Sequence, residues 1–139
     1  MPAEEAPVVL CRRVVAGWRR LGSLYEEIAR GLAEGGDGIA ELAVRASAVE
    51  HELAPLLARV AELRGGPAAA DDDLRRAIAE VDEGAIALLE RNRELVAIGE
   101  RARDDCAARL AHLQQARATR AEYARIGGRA PQRFASAVA

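Results

Sequence analysis

Apolar residues recur at steps of three and four along nearly the whole chain, the period of an α-helix with one buried face. The first stripe runs Cys11, Val14, Trp18, Leu21, Tyr25, Ile28 and Leu32; the second runs Ile39, Leu42, Ala46, Val49, Leu53, Leu56, Val60 and Leu63. A third runs Leu74, Ile78, Val81, Ala85, Leu88, Asn92 and Leu95, then thins past Gly99 to Ala102, Cys106, Leu110 and Leu113. The stripes predict helices over about residues 8–34, 38–64 and 71–126.

Turn residues punctuate the stripes at the expected places. Pro7 suits a first helical turn, and residues before it read as a frayed lead-in. Glu34-Gly35-Gly36-Asp37-Gly38 predicts a turn, with glycine in the left-handed conformation after one helix and Asp37 capping the next. Gly65-Gly66-Pro67 breaks the second helix; Asp71, Asp72 and Asp73 then cap the third and suit the positive end of its macrodipole. Pro55 lies within the second stripe, where it removes one backbone N–H and predicts a bend in a helix that continues past it. Gly127 and Pro131 predict that the third helix stops at Ile126, leaving 127–139 as a flexible basic tail.

A short connection between two helices of similar length implies an antiparallel hairpin, so the fold class is all-α: a helical hairpin plus one long third helix in a three-helix, coiled-coil-like bundle. That third helix either runs on continuously or bends near Gly99. One glycine costs only ~1 kcal/mol in a helix interior, and no second breaker accompanies Gly99, which favours continuity. Trp18 reads as a seam residue packed in the core rather than as an exposed anchor. Asn92 reads either as a buried polar residue that sets register or as a water-facing edge.

Composition supports this class and narrows the function. The 139 residues hold one tryptophan, two tyrosines and one phenylalanine, and no alternating β-branched runs. All twenty basic residues are arginine, which reads as coding bias rather than as twenty separate needs for guanidinium. The net charge of −2 argues against a dedicated nucleic-acid binder. Its distribution is uneven: residues 37–99 carry seven arginines against thirteen acids, and residues 100–139 carry eight arginines against four acids. The last third is therefore basic, either as a solvated face or as a docking surface for a protein partner. Cys11 and Cys106 both fall on apolar stripes and read as two buried free thiols. No secretory leader or membrane-length apolar run is apparent, so the expected location is the cytoplasm, without membrane insertion.

Motif chemistry is absent. His51-Glu52 would begin HExxH, but position 55 is proline, and His112 lies far away in sequence. The glycine-rich turn lacks the order of a phosphate loop and a strand before it. Ser23, Ser47 and Ser136 have no plausible base beside them. The expectation is a binding protein, not an enzyme, with no catalytic residues, no metal and no cofactor.

Several stretches together resemble FlgN-type flagellar export chaperones. These are the amphipathic helix from Trp18 to Leu32, Leu53-Ala54-Pro55-Leu56-Leu57, Leu88-Leu89-Glu90-Arg91-Asn92-Arg93-Glu94-Leu95, the Arg/Gln/Leu-rich segment that follows, and an end with Tyr123, a glycine pair and Phe134. The resemblance implies a cytosolic chaperone of type III secretion that binds the amphipathic C-terminal helical segments of hook-filament junction proteins and prevents premature assembly. The thin apolar stripe beside arginines gives such a partner helix a place to dock. Its expected contacts are Ala102, Cys106, Leu110, Leu113, Tyr123, Ile126 and Phe134, with Arg109, Arg117 and Arg120 pairing with acidic rims. The alternative is a structural or regulatory bundle protein that forms a homodimer through the same half-helix.

Overall fold

In the computed structural model, backbone is described for residues 4–138 and side chains for residues 4–127. Helix α1 spans Pro7–Glu34, α2 spans Ile39–Gly65, a 3₁₀ turn covers Pro67–Ala70, and α3 spans Asp72–Val138. No strand occurs among the described residues, so the protein is all-α. Residues 1–100 form one unit and residues 101–139 a second.

The helix ends follow from local chemistry. Pro7 opens α1 at its first turn. Gly35 closes it with φ 66°, and the Gly36 N–H donates to the Gly31 carbonyl at 2.9 Å, satisfying a terminal acceptor as a left-handed glycine cap does. At the start of α3 the Asp73 N–H donates to the Asp71 carboxylate at 3.0 Å, the cap expected from the aspartate run. Helix α2 runs through Pro55. His51, whose carbonyl loses its donor there, is exposed, as is Pro55, so water can take the freed acceptor.

Within residues 1–100 the core forms two clusters along the hairpin. One joins Leu10, Cys11 and Val14 of α1 with Val60 of α2 and Leu74, Ala77, Ile78 and Val81 of α3. The other joins Leu21, Leu24 and Ile28 with Ala46, Val49 and Leu53, and Leu88 and Leu95 of α3 pack against it half-buried. Gly17 lets α1 approach α2, because a Cβ there would run into the Leu53 side chain. Burial on α3 falls away along its length: Val81 is its last buried residue among those described.

Several expectations change. The Asp37 side chain makes no cap; α2 starts instead from Gly38, whose φ of 86° suits only glycine, so the backbone turn does the work assigned to the carboxylate. Helix α3 continues through Gly99 and extends to Val138 rather than ending at Ile126. The expected stop at Gly127 needed a left-handed conformation, which it does not adopt. In the lead-in, Glu5 is held by Arg13 at 2.7 Å and Arg59 at 3.6 Å. Asn92 takes the water-facing alternative. Cys11 is buried but Cys106 is exposed, because no neighbour among the described residues covers the stripe it lies on.

Candidate functional site

The second unit carries all the expected contact residues. Ala102 is half-buried, and every residue from Arg103 to Gly127 is exposed, including Cys106, Arg109, Arg117 and Arg120. The large apolar side chains are as open as charged ones: Leu110 is 58% exposed, Leu113 59%, Tyr123 71% and Ile126 61%. Phe134 lies outside the described side chains. Leu110 and Leu113, neighbours one turn apart, go beyond the scattered single apolar residues of an ordinary surface.

Helical register divides these residues. At roughly 100° per residue, Cys106, Leu110 and Leu113 lie within about 60° of one another, and Ala102 borders them. Tyr123 and Ile126 are each rotated roughly 140° or more from Leu110, so the single stripe expected from 102 to 126 is in fact two faces. Arg117 falls on the leucine face itself, one turn beyond Leu113, and Arg120, two turns beyond Leu113, borders that face at the same rotation as Ala102. Arg109 flanks that face. Arg103, one heptad before Leu110, also belongs to it; its guanidinium lies 3.5 Å from the exposed Asp104 carboxylate. Counting seven back from Leu110 would have found it. On the opposite side Thr119 donates its hydroxyl to the Gln115 carbonyl at 2.9 Å, a bond internal to the helix.

The first unit has polar links between its helices. Arg64 of α2 grips the Asp82 carboxylate of α3 through two guanidinium nitrogens, one at 3.0 Å, which holds that carboxyl below its usual range. Arg91 of α3 reaches Glu26 of α1 at 3.0 Å. Tyr25 donates its hydroxyl to Glu50 at 2.6 Å. Burial, helped by that carboxylate, pushes the phenol up to about 12. Burial likewise raises the Cys11 thiol. Trp18 packs on Gly84, where a Cβ would lie 2.9 Å from the indole, and its Nε1 is buried without a hydrogen-bond partner.

Beside Trp18 an open groove of about 460 Å³ runs between α1 and α3. Arg19, Glu80, Glu83 and Arg91 line it, so its charges balance and select no ligand of one sign. Ile86, Leu89 and Val96, each more than half exposed, form a second apolar line on α3 that tracing one stripe per helix missed. Their spacing of three and seven was the available signal. No group of three or more His, Cys, Asp or Glu side chains among the described residues could hold a metal. No helix among them is long and apolar enough to cross a membrane.

Comparison of the chain with protein-family models, with curated proteins and with solved structures finds no match. The site must therefore be read from its own residues. What they offer is an uncovered helix surface with two leucines at its centre and arginine around them. Such a surface has the form that a complementary helix can cover.

Proposed function

We propose that the protein is a helical docking protein that captures an amphipathic helix of another protein on the leucine face of residues 102–120. Tyr123 and Ile126 supply a second contact line where that partner wraps or a further helix packs. The resemblance described above supplies the partner's biological setting: the helical C-terminal segments of hook-filament junction proteins, held unassembled before export. In this reading the protein works by binding, without a reaction of its own.

The observation that carries the proposal is the exposure of Leu110 and Leu113, each more than half open to solvent, on a helix whose 3–4 spacing is that of a packed seam. Covering two leucine side chains contributes roughly 1.5–3 kcal/mol each, enough to anchor a helix when charge contacts add to it. The test is titration calorimetry of junction-protein C-terminal segments against the full chain and against a Leu110→Asp/Leu113→Asp variant. Loss of binding with unchanged circular dichroism supports the proposal. Binding that ignores both substitutions removes it.

A further inference from the structure

We infer that the occupant of the leucine face is an acidic amphipathic helix, with carboxylates on both sides of a central apolar pair, and not the same face of a second copy of this chain. The inference rests on the docking role proposed above and identifies the chemistry of its partner. Read along the helix at heptad spacing, the face presents Arg103, Cys106, Leu110, Leu113, Arg117 and Arg120, all exposed. Two leucines are thus bracketed by guanidinium groups. A helix that covers the leucines must also cover the arginines, and Arg117 and Arg120 have no ion-pair partner among the described residues to neutralise them.

Pairing of this face with itself fails on this geometry in both directions. In a parallel pair each seam residue meets its own copy, setting Arg103, Arg117 and Arg120 against themselves. In an antiparallel pair centred between the leucines, Leu110 meets Leu113 of the other copy, and then Arg103 meets Arg120 while Cys106 meets Arg117. Either register opposes like charges across a seam that has only two large apolar residues per chain to offset them. A partner with glutamate or aspartate outside its own leucines, opposite Arg103, Arg117 and Arg120, converts each arginine–arginine repulsion into an ion pair. Guanidinium suits that role, since its planar fork takes a carboxylate through two nitrogens.

Three synthetic helical peptides test this against the full chain. Their seam positions read Glu-Glu-Leu-Leu-Glu-Glu, Gln-Gln-Leu-Leu-Gln-Gln and Lys-Lys-Leu-Leu-Lys-Lys, a symmetric order that serves either docking direction. Fluorescence anisotropy should rank glutamate first, with glutamine about tenfold weaker, lysine weakest, and the gap narrowing as salt is raised. An Arg117→Glu/Arg120→Glu variant should reverse the ranking of the glutamate and lysine peptides. Equal binding of the glutamate and glutamine peptides overturns the acidic-partner inference while leaving helix docking in place. Binding of none of the three removes the docking role itself. Sedimentation of the free chain supplies the other arm: a dimer that Leu110→Asp dissolves would overturn the exclusion of self-pairing.

Discussion

Leu53 and Leu110 occupy equivalent places in nearly identical local patterns, each with apolar neighbours three or four residues away, yet Leu53 is 2% exposed and Leu110 58%. The difference lies in what stands opposite. Leu53 meets Gly17 and the second core cluster, whereas nothing among the described residues stands over Leu110. A seam-spaced stripe therefore encodes the capacity to be buried, and the neighbouring elements decide whether that capacity is used within the chain. The two regions should respond oppositely to the same kinds of perturbation.

The widest gap should appear between the two thiols. Cys106 is open to solvent, whereas Cys11 is buried with its thiol pushed up, so a thiol reagent at neutral pH should modify Cys106 at least about a hundredfold faster. Comparable rates in the folded protein would show that the first unit opens readily. Next, Leu53→Ala should cost about 2–5 kcal/mol in a denaturant titration, through lost burial and the cavity left behind. Gly17→Ala should cost about 1–3 kcal/mol by overpacking, and adding Leu53→Ala should give less than the two losses combined, since the shortened side chain makes room. Full additivity would contradict the close approach of α1 to α2.

A smaller contrast lies in alkali. The folded Tyr25 phenol is raised to about 12 from an ordinary value near 10. Its stabilising contribution is complete below the unfolded value and is lost as pH rises from 10 through the folded value, because the unfolded phenol releases its proton first. Tyr25→Phe should flatten that part of the stability profile. The smallest effect is expected on the exposed leucine face: Leu110→Asp and Leu113→Asp together should change stability by less than about 1 kcal/mol, mostly helix propensity. A loss near that of Leu53→Ala would mean that the leucine face is already covered.

Periodicity carried most of the architecture, since a 3–4 stripe names both the element and its buried side. Val14, Leu21, Ile28, Val49, Leu53, Val60 and Val81 were all legible that way. Leu10, Leu24 and the close approach at Gly17 were not, because a helix touching two neighbours buries a wider face than one seam traces. Glu5 bridging Arg13 and Arg59 depends on long side chains meeting across the fold and leaves no periodic signal. Asp37 leaves no cap although its position offers one, because a glycine with positive φ can start a helix with no side-chain cap. For the site, exposure of the Leu110 stripe was implied by its thinness. The separation of Tyr123 and Ile126 onto another face was also available by counting residues, and nearness in sequence concealed it.

Trp18, the chain's sole indole, lies against Gly84 with its Nε1 shut away from water. That makes it a built-in optical gauge of the first unit. While α3 rests against α1 its fluorescence should be blue-shifted, and lifting the helix away wets the ring and moves the emission to the red. Chemistry confined to residues 103–127 should leave its colour unchanged, so one spectrum can distinguish an event on the exposed face from a loosening of the bundle.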